Sequence, residues 1–85
     1  FNLYQNYPNP FNPVTTIKYD LPEQSDVKIS IINMLGQTVQ EEVKLNQAAG
    51  IQTYTFNGAN LTSGVYFYRI KTNSFSDTKR MVLVK

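Results

Sequence analysis

Apolar and polar side chains alternate along most of these 85 residues. A period of two fits a strand with one buried face and does not fit a helix, whose faces recur every ~3.6 residues. Ile17, Tyr19 and Leu21 share one phase, Thr16, Lys18 and Asp20 share the other, and Pro22 closes the run. Val27, Ile29 and Ile31 repeat the arrangement around Lys28 and Ser30. With Glu23-Gln24-Ser25-Asp26 as the turn, the two runs are expected to form a hairpin of about five-residue strands. Tyr54 and Phe56 alternate with Thr53 and Thr55 in a further strand from Ile51 to Asn57. After Gly64, a residue free to take backbone angles closed to others, Tyr66, Tyr68 and Ile70 alternate with Val65, Phe67, Arg69 and Lys71. Phe75 to Lys85 then returns as the second strand of a hairpin. Within it Met81 and Leu83 point one way while Val82 and Val84 point the other. One pair can fill a core; the other needs a second sheet, a partner or water.

The remaining segments are less regular. Val39, Val43 and Leu45 are expected to face inward from a strand that turns Gln40, Glu42 and Lys44 to water, although Glu41-Glu42-Val43-Lys44-Leu45 also suits a short helix. Ile32 to Gln37 reads as a tight connection around Gly36, with Met34 and Leu35 packing back. Tyr7 to Pro13 holds three of the four prolines, which makes it stiff, extended and poor in ladder donors. It is expected to cross an edge or an end of the fold, with Phe11 plugged into the core. The whole reads as an all-β sandwich of six to seven mostly antiparallel strands. One domain is expected over 1–85, with a proline-rich lead-in at 1–13 and the sandwich at 14–85.

The residue types exclude several chemistries. There is no cysteine and no histidine, so thiol nucleophiles, disulfides, His-based triads and the usual zinc ligand sets have no material here. A chain of this size buries only about 60–65% of its unfolded surface, which leaves little room for a catalytic cleft beside a core. Asp20, Glu23 and Asp26 gather near one turn, yet they fall well short of the roughly six to eight oxygens calcium takes. Glu41 and Glu42 are neighbours pointing to opposite strand faces and make a poor acid/base pair. Asn60-Leu61-Thr62 is a glycosylation sequon of the kind an Asn-rich chain produces by chance. Neither an enzyme nor a cofactor site is expected. The net charge of +2 is too small to argue for nucleic acid. Its distribution is uneven, because Arg69, Lys71, Lys79, Arg80 and Lys85 fall in the last seventeen residues against Asp77 alone. No apolar run approaches the ~20 residues of a membrane helix, so direct membrane insertion is not expected. No signal peptide opens the sequence, so an export address is expected elsewhere in a parent protein or in the domain itself. Phe67 would be an outward ring flanked by cations, suited to a protein partner or a sugar unless a loop such as the proline segment covers it.

Three stretches together resemble the C-terminal sorting domain of proteins exported by the type IX secretion system of Gram-negative bacteria. They are Leu3-Tyr4-Gln5-Asn6-Tyr7-Pro8-Asn9-Pro10-Phe11-Asn12-Pro13 with Thr16-Ile17-Lys18-Tyr19, then Leu61-Thr62-Ser63-Gly64-Val65-Tyr66-Phe67-Tyr68-Arg69-Ile70, and finally Lys79-Arg80-Met81-Val82-Leu83-Val84-Lys85. The Met34-Leu35-Gly36-Gln37 turn also fits. The resemblance implies an immunoglobulin-like β-sandwich at the C-terminus of a larger cargo protein. It implies as partners an outer-membrane translocon, a shuttle protein and a sortase-like peptidase, with passage through the periplasm to the cell surface or beyond. By the same resemblance Lys79 to Lys85 carries most of the signal. Gly64, Tyr66, Phe67 and Arg69 form a supporting motif, and Pro8, Asn9, Pro10, Phe11 and Pro13 a structural one. The sequence departs from the family at Phe56, where tryptophan is common, and a similar sandwich occurs in the flagellar hook-capping protein. An accessory carbohydrate-binding module and a structural or self-associating spacer are the alternatives the residues leave open.

Overall fold

The alternating runs become seven strands in a computed structural model that describes residues 1–85. In chain order they are β1 (Asn2–Leu3), β2 (Val14–Leu21), β3 (Ser25–Ile32), β4 (Thr38–Gln47), β5 (Gly50–Asn57), β6 (Gly64–Lys71) and β7 (Ser76–Leu83). They form a three-stranded sheet, β1-β2-β5, and a four-stranded sheet, β4-β3-β6-β7, with every strand pair antiparallel. The inward phase of each sheet supplies the core. Ile17, Tyr19, Leu21 and Phe56 come from the first sheet, and Val27, Ile29, Ile31, Tyr68, Ile70, Met81 and Leu83 from the second. The expected all-β sandwich is therefore what the chain forms. One detail is immunoglobulin-like at the level of a single side chain. Tyr66, at the start of β6, donates its hydroxyl to the Thr62 carbonyl at 2.8 Å, a tyrosine corner that pins the turn leading into the strand.

Three expectations fail, each for a physical reason. β2 and β3 are not a hairpin: β2 pairs with β1 and β5 while β3 pairs with β4 and β6, so the Pro22–Gln24 link carries the chain from one sheet to the other. Both strands run eight residues rather than five, since each is set by partners far away in sequence. Met34 and Leu35 do not pack back; they are 68% and 83% exposed. The turn is held instead by the Asn33 side chain, whose Oδ1 accepts from the Leu35 N–H at 2.9 Å and the Gln37 N–H at 3.0 Å, with Gly36 at φ 83°.

The third concerns β4. It is a strand rather than a helix, but its faces are reversed: Val43 and Leu45 are 56% and 66% exposed, whereas Glu42 and Lys44 are half-buried. β4 lies at the edge of its sheet, where the hydroxyls of two core tyrosines emerge and require partners. Gln40 Nε2 donates to the Tyr54 hydroxyl at 3.1 Å, and the Tyr19 hydroxyl donates to Gln47 Oε1 at 3.2 Å. Lys44 Nζ lies 5.7 Å from the centre of the Tyr54 ring. Polar side chains at the inner positions of β4 serve those hydroxyls, and the apolar ones are left outside.

Candidate functional site

β7 pairs with β6 along its whole length, from Gly64↔Leu83 to Lys71↔Ser76. Gly64 opens β6 at φ 150°, at the limit of the backbone range that side chains disfavour. This pairing brings the two resembling stretches side by side: Tyr66 stands opposite Met81, and Phe67 opposite Arg80.

Strand geometry divides the last seven residues. Met81 and Leu83 are 0% and 1% exposed, so they belong to the core and present nothing to a partner of the folded domain. Lys79 follows the same inward phase as Tyr68 and is half-buried, while Arg80 projects outward and is exposed. The two cations thus leave the strand on opposite faces. Val82 is half-buried and Val84 is 49% exposed. Lys85 is exposed but tethered, its N–H donating to Ser63 Oγ at 3.0 Å and its ammonium to the Ala59 carbonyl. In the supporting stretch Tyr66 is core, Phe67 half-buried and Arg69 exposed.

The proline segment explains why β7 is not an open edge. The Phe11 N–H donates to the Val82 carbonyl and the Val84 N–H to the Phe11 carbonyl, both at 2.9 Å, forming a parallel bridge between Phe11 and Leu83. Asn9 Oδ1 accepts from the Val82 N–H at 3.0 Å, and Gln5 Nε2 donates to the Arg80 carbonyl at 2.7 Å. Backbone groups from Arg80 to Val84 that would otherwise invite another strand are therefore occupied. The segment does cross an edge, as expected, and Phe11 is 1% exposed, edge-on to Phe56 with ring centres 6.1 Å apart. The Pro13 carbonyl accepts from the Gly58 N–H at 2.8 Å, and Pro10 is exposed.

A buried polar cluster lies beneath this segment. Asn6 is only 2% exposed, and its Nδ2 donates to Thr15 Oγ1 at 3.0 Å and to the Pro8 carbonyl at 3.2 Å. Thr15 Oγ1 donates to the same Pro8 carbonyl at 2.9 Å. The Tyr68 hydroxyl donates to the Tyr4 carbonyl at 2.7 Å and accepts from the Asn6 N–H at 2.9 Å, which joins the segment to β6. No periodic signal marks Asn6; the clue is a polar residue beside prolines whose carbonyls lack a ladder.

Burial pushes the Tyr68 phenol from 10.0 up to about 12; the hydrogen bond with Asn6 opposes this and the charge of Asp77 adds to it. Tyr19 and Tyr54 are also raised, first by burial and then by Glu42. Because the folded chain keeps a proton the unfolded chain has lost, the contribution of Tyr68 to stability is constant below a pH of about 10 and falls as pH rises towards about 12. Tyr68→Phe leaves the buried Asn6 N–H unpaired and should cost about 1–3 kcal/mol near neutral pH. It should also flatten the alkaline fall. Thermal melts at pH 7 and across the alkaline range check both; an unchanged melt at pH 7 would mean the hydroxyl contributes nothing.

The fold is a two-sheet β-sandwich module, and no group of three or more His, Cys, Asp or Glu side chains is placed to hold a metal ion. The chain belongs to the family of secretion system C-terminal sorting domains, whose family model matches residues 5–85. No curated protein matches the chain. The expected family is thus the one found, and the match covers the second and third resembling stretches whole and the first from Gln5 onward.

Proposed function

We propose that this domain directs a larger cargo protein across the outer membrane through the type IX secretion system, and that the machinery reads it as a folded surface. Membership of the sorting-domain family gives the general role. The observation that carries the finer reading is the convergence of Arg80, Val82, Phe67 and Arg69 on adjacent strands, held in register by β6–β7 pairing and by the proline segment. Of the last seven residues, Arg80, Val82, Val84 and Lys85, with Lys79 from the other side, meet the translocon and shuttle protein. Met81 and Leu83 act by holding that strand in the core. The route runs through the periplasm to the cell surface or the medium, where a sortase-like peptidase separates domain from cargo. The family is a secretion-signal family, and its role is addressing rather than catalysis.

Residues 1–85 fused behind a periplasmic reporter should bring that reporter to the surface of a host with the type IX machinery. In the same host with the translocon inactivated the reporter should stay in the periplasm. Surface labelling at equal levels in the two hosts would overturn the reading.

A further inference from the structure

We infer that the outward face of the four-stranded sheet is a docking surface for an acidic protein surface with an apolar centre, and that Arg69, Lys71 and Arg80 are the charges it meets. The inference rests on the sorting role proposed above and adds where the domain is read and by what chemistry.

The register assigns the face. Lys28 pairs with Lys71, Ser30 with Arg69 and Ile32 with Phe67 across β3 and β6; Phe67 pairs with Arg80 and Val65 with Val82 across β6 and β7. All of these carry the phase opposite to the core residues Ile29, Ile31, Tyr68 and Met81. The centre is apolar, with Phe67, Val65 and Val82 half-buried around a covered Ile32.

The charge on this face is unbalanced. Lys28 is held by Glu41 at 3.4 Å, and the only other ion pair in the chain is Lys44 with Glu42, so Arg69, Lys71 and Arg80 have no acidic partner. Asp77, the one acid in β7, lies on the inward phase with Tyr68 and Lys79. Like charges directly opposite one another on a sheet are destabilising, and Lys28 stands directly opposite Lys71. Glu41 offsets the charge of Lys28, so the unpaired charge at this position is that of Lys71, which an approaching acidic surface would meet.

Two further features point to a protein as the occupant. Arginine with aromatic side chains is the composition found at the centre of protein interfaces, and the guanidinium fork matches carboxylates in geometry. The edge of β7 from Arg80 to Val84 is already occupied by Gln5, Asn9 and Phe11, so a partner cannot read this strand by adding to its edge there. Along Arg80 to Val84 the outward side chains are what remains for a partner to read.

The test uses the reporter fusion carrying Arg69→Glu/Arg80→Glu, a milder Arg69→Gln/Arg80→Gln, and Lys18→Glu on the outward face of the other sheet. Arg69 and Arg80 are exposed and their side chains make no hydrogen bond or ion pair, so purified variants should melt as the parent does. Surface export of the Glu double variant should fall by at least about tenfold, that of the Gln variant by less, and that of Lys18→Glu not at all. Parental export by a folded Arg69→Glu/Arg80→Glu fusion would overturn this inference and leave the sorting role standing. Failure of the unsubstituted fusion to depend on the translocon would remove the sorting role itself, and with it this inference. Co-sedimentation of the purified parent domain with phosphatidylglycerol vesicles, lost in the Glu variant, would assign the face to a lipid surface and also overturn it.

Discussion

A copy of the domain lacking Lys79–Lys85 is expected to lose its fold before it loses any recognition. The deletion removes Met81 and Leu83, two side chains at 0% and 1% exposure, and truncating a buried residue of this kind to Ala costs about 2–5 kcal/mol. It also strips β6 of its partner from Gly64 to Tyr68 and leaves Phe11 without the backbone of Val82 and Val84. Small domains hold only about 5–15 kcal/mol in total, and one of this length lies towards the lower end. The truncated chain should show collapsed amide dispersion and no cooperative melt. A native-like spectrum would overturn the assignment of Met81 and Leu83 as core supports. The consequence for function is direct: loss of export on deleting the last strand measures stability and recognition together. Only outward substitutions such as those at Arg69 and Arg80 separate them.

What could be read from the sequence depended on where each strand lies in the sandwich. β6 and β7 announce themselves because both faces are constrained: Tyr66, Tyr68, Ile70, Met81 and Leu83 face the core, and their neighbours do not. β2 and the first part of β3 were equally plain, since Ile17, Tyr19, Leu21, Val27, Ile29 and Ile31 are buried as their phase requires. What periodicity cannot convey is which strand lies beside which. The Pro22–Gln24 link is short enough for a hairpin, yet it bridges two sheets, because the choice is made by β5 and β6 much later in the chain. β4 misled for a different reason. At an edge, the inward phase serves tyrosine hydroxyls rather than a dry interior, so hydrophobicity points the wrong way.

The candidate surface was legible in its residues but not in its division. In sequence Lys79 to Lys85 is one contiguous stretch, whereas the strand sends Lys79, Met81 and Leu83 to one face and Arg80, Val82 and Val84 to the other. Alternation alone does not decide between exposure and cover for Phe67, which is half-buried beside Ile32 and opposite Arg80. The closing of the β7 edge could not be foreseen from alternation, because it depends on Gln5 and Asn9, more than seventy residues away in the chain.

Phe11→Ala should be the most damaging single substitution in the proline segment, at about 3–5 kcal/mol, the range for removing a buried aromatic ring. The site cannot collapse to fill the gap, because its walls come from separate strands: Phe56 of β5, Leu83 of β7 and the Gly58 backbone. The fit is already close, since a Cβ on Gly58 would lie 3.2 Å from Leu83 Cδ2 and 3.4 Å from Phe11 Cε2. Losing the ring also frees the backbone of residue 11, which both donates to Val82 and accepts from Val84. Hydrogen exchange should therefore report two effects: a general loss of protection from the lower stability, and a larger loss at the Val84 and Val82 amides as the β7 edge opens. Phe11→Leu, which keeps most of the apolar volume, should retain both. If Phe11→Ala lowers stability uniformly and spares those two amides, Asn9 and Gln5 hold the segment without the ring. The proline segment would then act as a strap of hydrogen bonds rather than as a plug, and β7 would keep its closed edge even in a weakened core.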